Sequence, residues 1–202
     1  MKIVGRGIVM GYDFFAMMSR MKLIGRWSLM RNSRQENISE HSLEVSMLAH
    51  ALAVISRERL NKPINVERAA LMGIYHDATE IITGDMPTPI KYFNENIKGA
   101  YKAVEENAAE KLIRMLPQDM QKSYKEIFFP EEKDAYIWSL VKAADKLSAL
   151  IKCIEERKAG NSEFKSAEES TYKMLIDMKL EEVNIFLKEF IPSYQKTLDE
   201  LN

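Results

Sequence analysis

Residues 69–82 read AALMGIYHDATEII, a run with apolar side chains at three- and four-residue spacing into which His76, Asp77 and Glu80 are set. That spacing lays a hydrocarbon stripe along one side of an α-helix. Three ionisable groups therefore stand where a helix normally buries apolar surface. Taking a carboxylate out of water without a partner costs roughly several kcal/mol, or shifts its pKa until it neutralises. A bound divalent cation removes that difficulty. On one continuous helix His76 and Glu80 are four residues apart and Asp77 and Glu80 three, so all three are expected to face one pocket.

The same periodicity continues outward in both directions. With only 8 Gly and 6 Pro in 202 residues and no clear alternating run bounded by turn residues, the chain is expected to be all-α, a single-domain helical bundle. Helices are expected over about residues 13–24, 40–59, 66–82, 98–116, 131–158, 163–178 and 181–190. Ser39, before EHSLEVSMLAHALAVI, and Asn65, before VERAALMGIYHDATEII, are the expected N-caps. Gly84 ends the second of these helices. The segment that follows, GDMPTPIKYF (84–93), carries Gly84, Pro87 and Pro89 and is expected to be a rigid, non-helical loop leaving the charged end of the His-Asp helix.

Composition excludes several function classes. Lys and Arg number 29 against 30 Asp and Glu, so no overall basic field exists to hold a nucleic-acid polymer by phosphate neutralisation. No stretch reaches the roughly 18 apolar residues needed to span a bilayer. The apolar part of MKIVGRGIVMGYDFF is short and broken by Gly7 and Gly11, unlike a signal peptide. Cys153 is the single cysteine and sits in SALIKCI, where a small buried side chain is the ordinary reading; a reducing cytoplasm is the expected compartment. The 13 Met read as flexible core filler. In VEENAAEKLIRML, Glu106 and Glu110 mark a solvated face, and Trp138 and FLKEFIPSY (186–194) are candidates for subunit packing.

A cation held by imidazole and carboxylate is of the Mn, Fe, Co, Ni or Zn type rather than Ca or Mg, which prefer oxygen-only shells. His76 and Asp77 alone are too few ligands. Asp145, in SLVKAADKLSALI, is the only acid between Asp134 and Glu155 and is flanked closely by apolar residues, much as Asp77 is; pairing with a neighbouring lysine is the alternative reading. Of the remaining histidines, His41 lies in the first turn of its helix and His50 nine residues later, about half a turn around, so at most one of them faces the site.

The order His41, His76-Asp77, Asp145 resembles the H…HD…D metal pattern of the HD-domain phosphohydrolases, an all-helical superfamily. RWSLMRNSRQENISEHSLEVSMLAH (26–50), YHDATEIITGDMPTPIKYFN (75–94) and LVKAADKLSALIKCIEE (140–156) resemble the corresponding stretches of bacterial HD-domain 5'-deoxynucleotidases. The likeness runs from about Phe14 to the C-terminus, leaving residues 1–12 as an N-terminal extension ahead of the HD domain at 13–202. It implies hydrolysis of deoxyribonucleoside 5'-monophosphates to deoxyribonucleoside and phosphate. It further implies one divalent transition metal, such as cobalt or manganese, on His41, His76, Asp77 and Asp145, and a homodimer. Substrate contacts are implied for Arg26, Trp27 and the loop Asp85-Met86-Pro87-Thr88, in addition to the ligands His41, Asp77 and Asp145, with an essential catalytic role for Glu80.

Phosphomonoester hydrolysis requires neutralisation of the non-bridging oxygens, an oriented water and a proton for the leaving 5'-oxygen. Arg26 offers paired donors to the phosphate, and Glu80 and Asp85 can divide the proton transfers. Trp27, beside the sugar, can strand a ribose 2'-hydroxyl. No aromatic cluster or amide pair reads the base, so broad tolerance of bases is expected. The ligand set alone does not choose among phosphoesters. A nucleoside triphosphatase, a cyclic-nucleotide phosphodiesterase and a non-catalytic nucleotide-binding module remain alternatives, disfavoured by Trp27, by the GDMPTP loop and by the intact Glu80 and Asp85.

Overall fold

A computed structural model describes residues 11–91 and 93–201, with the Thr88 side chain also outside the description; the extension expected at 1–12 therefore lies almost wholly beyond it. Ten α-helices and several 3-10 turns make up the described chain, which contains one isolated β-bridge and no strand. The all-α expectation holds. Helix α1 spans Phe14–Met18 and leads into a 3-10 turn over Ser19–Leu23; α2 spans Ile38–Leu60, α3 Val66–Tyr75, α4 Glu80–Thr83 and α5 Thr88–Lys91. They are followed by α6 (Glu95–Ile113), α7 (Gln118–Phe128), α8 (Ala135–Lys158), α9 (Lys165–Asp177) and α10 (Glu181–Glu189).

Helix α2 is the hub of the molecule, packing along both α3 and α8, which also touch each other. Its inner positions Val45, Ala49, Leu52 and Ala53 are fully buried among Ala69 and Met72 of α3 and Leu140, Ala144, Leu147 and Ile151 of α8. Gly73 sets how closely α3 approaches. A Cβ there would lie 2.8 Å from Ser46 Cα, and beside it the Ser46 hydroxyl donates to the Ala70 carbonyl at 2.8 Å. Any larger residue would wedge the helices apart just before His76. A smaller cluster around Phe14, Leu112 and Leu116 joins α1 to α6 and α7.

Several local expectations are corrected. Helix 66–82 is broken: α3 stops at Tyr75, residues 76–79 form a turn, and α4 restarts at Glu80. The N-cap of α2 is Asn37, whose Oδ1 accepts from the Ser39 and Glu40 amides at 3.0 and 3.1 Å, and Ser39 is already in the helix. The cap at Asn65 and the stop at Gly84, with φ of 75°, stand as expected. Proline at 87 and 89 does not keep the next segment non-helical, because Pro87 and Pro89 fall at the entry and first turn of α5, where a missing N–H costs no intrahelical bond. Helix α7 was not expected, since the residues it packs against Phe14 and Tyr75, Met120, Tyr124 and Phe128, come only one per turn and are only half-buried. Trp138 packs against the core of this chain, and Phe186 is buried within it.

Candidate active site

The break in the 66–82 segment builds the site. The His76 ring donates from Nδ1 to the Gly73 carbonyl at 2.8 Å, which uses the last turn of α3 to turn Nε2 inward. Asp77, in the turn, then brings Oδ2 to 3.1 Å from that Nε2. From α2, His41 is 1% exposed and sets its ring 5.1 Å from that of His76, with Nε2 at 3.4 Å from Asp77 Oδ2 and 3.2 Å from Asp145 Oδ1 of α8. One donor atom each from His41, His76 and Asp77 lies within 4.8 Å of the others, and Asp145 adjoins this group through His41. Asp145 also meets its neighbouring lysine: Oδ2 accepts from Lys146 Nζ at 2.9 Å. His50 is exposed on the opposite side of α2.

These donors fit a divalent cation on their own geometry. Ligands held at about 2.1 Å from one ion are about 3.0 Å apart along an octahedral edge and about 3.4 Å along a tetrahedral one. The observed separations of 3.1, 3.2 and 3.4 Å span that range. The Nε2 atoms of both His41 and His76 are buried without a hydrogen bond, although carboxylate oxygens surround them. Lone pairs directed at lone pairs repel unless a positive charge sits between them. Burial pushes the Asp77 carboxyl up, but His76 and His41 outweigh it and hold the group well below its ordinary value. The group thus stays an anion facing two imidazoles, a donor set suited to a borderline transition ion.

Arg26 reaches this centre from the loop before α2. Its Nη1 donates to Asp77 Oδ2 and its Nε to Glu36 Oε2, both at 3.3 Å. The loop is closed by an antiparallel pinch in which the Arg26 amide donates to the Glu36 carbonyl at 2.9 Å and the Ile38 amide to the Ile24 carbonyl at 3.0 Å. Trp27, next along, has φ of 58°, a left-handed conformation that costs a bulky residue on the order of 1–3 kcal/mol. Its indole holds it there: Nε1 donates to Glu36 Oε2 at 2.8 Å, the ring lies 5.3 Å from Phe164, and the Trp27 carbonyl accepts from Met30 and Asn32. Glu36, absent from the expected set, is therefore the common anchor of both.

Above these residues opens a cavity of about 650 Å³, within the range typical of small-molecule sites. Arg26, Trp27, Asp77, Glu80, Asp85, Met86, Pro87 and Asp145 all line it, so the structure brings the expected residues together apart from the two recessed histidines. The Thr88 residue begins α5 beside them, its side chain outside the description. Glu80 is 5% exposed with Oε2 unpartnered, and burial, reinforced by Asp77 and Asp85, raises its pKa to about 9. Burial raises Asp85 as well, against the pull of Arg26. The far wall was not expected from sequence: Lys146 of α8 and Ser170 and Met174 of α9 complete it. Their spacing on α9 carries no chemical signature, so only the tertiary fold shows them.

A family model described as 5'-deoxynucleotidase YfbR-like matches residues 13–194. The chain is 47% identical over 189 residues to a 5'-deoxynucleotidase of Erwinia tasmaniensis, covering 94% of this chain and 96% of that one. A 5'-deoxynucleotidase of Yersinia pestis is 49% identical over 193 residues, again across 94% of this chain and 96% of the relative. Among solved structures, an HD-domain phosphohydrolase from Listeria innocua superposes with a TM-score of 0.79 at 24% identity, over 92% of this chain and 90% of that one. The cyanophage S-2L HD phosphohydrolase, bound to dA and one catalytic Zn²⁺, superposes with a TM-score of 0.60 at 20% identity, over 90% and 96%. Those two likenesses speak for the HD-domain fold, and the sequence matches go further: the chain belongs to the YfbR-like 5'-deoxynucleotidase family.

Proposed function

We propose that this protein hydrolyses deoxyribonucleoside 5'-monophosphates to deoxyribonucleoside and phosphate, with His41, His76, Asp77 and Asp145 holding one divalent cation. The observation that carries the reading is the pair of buried, unpartnered Nε2 atoms facing Asp77, which together with Arg26 and Trp27 lines the cavity. When bound, the cation supplies Lewis-acid neutralisation of phosphate charge and lowers the pKa of a coordinated water.

The remaining tasks fall to this chain's own side chains. Arg26 is already oriented by Glu36 and Asp77, so its free N–H groups meet a phosphate without further ordering. Glu80 and Asp85 both stand above ordinary carboxylate values, the condition that suits a pair in which one takes a proton from the attacking water and the other returns one to the 5'-oxygen. Met86, Pro87 and Thr88 shape the loop that carries Asp85 over the phosphate. The only polar side-chain atom of Trp27 is consumed by Glu36, so the indole presents hydrocarbon to the sugar and leaves a ribose 2'-hydroxyl without a partner.

Cobalt and manganese are the proposed ions, and zinc satisfies the same donors. A cytoplasmic location agrees with the buried lone thiol of Cys153, and among the described residues no helix is long and apolar enough to cross a membrane. A homodimer agrees with the exposed Leu43 and Met47 on α2 and the exposed Leu71 and Ile74 on α3, and light scattering of the purified protein tests it. For the activity, phosphate release from deoxy and ribo monophosphates, triphosphates and cyclic nucleotides is measured after reconstitution with Co²⁺, Mn²⁺, Zn²⁺ or Mg²⁺. Selective turnover of deoxy monophosphates is expected. Equal rates on ribonucleotides overturn the role of Trp27, and a full metal complement in His41→Ala or Asp145→Ala overturns the ligand set.

A further inference from the structure

The two histidines at the centre are backed differently. His76 Nδ1 donates to a neutral backbone carbonyl, that of Gly73. His41 Nδ1 lies 2.9 Å from the Ser148 hydroxyl oxygen, and that hydroxyl donates its one hydrogen to Glu44 Oε2 at 2.6 Å. With its hydrogen committed to Glu44, Ser148 offers His41 only a lone pair. The ring must then donate from Nδ1, which leaves Nε2 as the basic atom directed at Asp77 and Asp145.

The chain of bonds is built into the two helices that carry the outlying ligands. Glu44 follows His41 by one turn of α2, and Ser148, fully buried, follows Asp145 by one turn of α8. Glu44 also borders a second cavity of about 190 Å³, where Arg34 and Lys152 stand among Glu36, Glu40 and Glu155. We propose that Ser148 and Glu44 are positioning residues that lock His41 in its Nδ1–H tautomer and, through the charge of Glu44, make its Nε2 the stronger imidazole donor of the site. An anion behind a coordinating imidazole fixes the ring and increases its basicity, and loss of such a partner typically weakens metal affinity 10–100-fold.

The inference rests on His41 being a metal ligand, and the test separates the two claims. The full-length protein is stripped of metal, and the dissociation constant for Zn²⁺ alone is measured by competition with a chromophoric chelator for wild type, Glu44→Gln, Ser148→Ala and His41→Ala. Visible absorption of the Co²⁺-loaded forms reports the ligand field independently of turnover. Glu44→Gln keeps the shape and removes the charge, so about tenfold or greater loss of Zn²⁺ affinity and a shifted Co²⁺ spectrum are expected, with unfolding of the metal-free protein unchanged. Ser148→Ala is expected to behave alike; should it fail to fold, Glu44→Gln decides alone. Wild-type affinity and spectrum in Glu44→Gln, beside weakened binding in His41→Ala, overturn the relay while leaving the ligand set standing. Unchanged binding in His41→Ala overturns both.

Discussion

Asp145 and Glu156 lie on the same helix, α8, about 16 Å apart along its axis, and the protein treats their surroundings in opposite ways. Around Glu156, which is 1% exposed, every charge is matched: Oε2 accepts from the Ser33 amide at 2.9 Å, from the Ser33 hydroxyl at 2.5 Å and from Asn161 Nδ2 at 2.8 Å, while Oε1 meets the buried Lys152 ammonium, which itself donates to the Arg34 carbonyl. Around Asp145 and Asp77 the opposite holds, with two imidazole nitrogens and a Glu80 oxygen buried and unpartnered. A polar cluster that is fully matched rigidifies structure, and one left short of positive charge is prepared for something that arrives later. The first staples the loop carrying Arg26 and Trp27 to α8; the second awaits metal and phosphate.

Substitutions at the two clusters should therefore move different observables. Glu80→Gln is expected to reduce turnover of a deoxynucleoside monophosphate by roughly 10²–10⁴, measured as released phosphate, with thermal stability equal to wild type or higher. A stability loss exceeding the activity loss would erase the distinction. Glu156→Ala should do the reverse, costing roughly 3–5 kcal/mol in urea unfolding because the buried Lys152 is left without its counter-ion. The same residue sets an acid limb. Although burial pushes Glu156 up, the bonds from Lys152, Ser33 and Asn161 hold its carboxyl well below the ordinary glutamate value of about 4.5. Its contribution to stability is therefore complete above about pH 4.5 and drains away as pH falls toward the depressed folded value. Glu156→Gln should flatten the pH dependence of unfolding in that acidic window.

Adding cation sharpens the contrast from the other side. At a hundredfold excess over its dissociation constant, Co²⁺ or Mn²⁺ should stabilise the folded state by about 2.7 kcal/mol, seen as a higher unfolding temperature, and Asp77→Ala should abolish that shift while Glu156→Gln keeps it. The smallest effect belongs to Glu36, which links the two clusters by holding Arg26 and Trp27. Glu36→Gln keeps an acceptor for the indole but loses the charge opposite Arg26, and about a tenfold rise in KM, near 1.4 kcal/mol, is expected with kcat little changed. A fall confined to kcat would place Glu36 in the chemistry instead.

How much of this could be read from the chain alone differs between the same two regions. His76, Asp77 and Glu80 stand out because charge inside an apolar helical period is an anomaly visible over a few residues. Asp145 is visible for the same reason. What sequence reasoning got wrong was the manner of their meeting: a spacing of three and four suggests one helical face, whereas a turn at 76–79 redirects the chain, and nothing in ATEII forbids the helix to continue. Glu36 and Glu156 left no such trace. Their partners are Trp27 and Arg26 across an aperiodic loop, or Ser33 more than a hundred residues away, and a carboxylate paired at that distance looks like any other acidic residue. Helix α7 escaped notice because a single apolar residue per turn is a weak stripe, completed only when Phe14 and Tyr75 come up against it.

The contact between Gly73 and the α2 backbone bears on engineering. Replacing a mid-helix glycine with alanine is a routine thermostabilising move, gaining about 1 kcal/mol of intrinsic helix propensity. Here one added methyl group would shove against main chain, displacing the very turn whose carbonyl aims the His76 imidazole. A design campaign ranking substitutions by helicity would select the change that misaligns the metal centre, so this glycine is a position where heat resistance and cation capture pull apart.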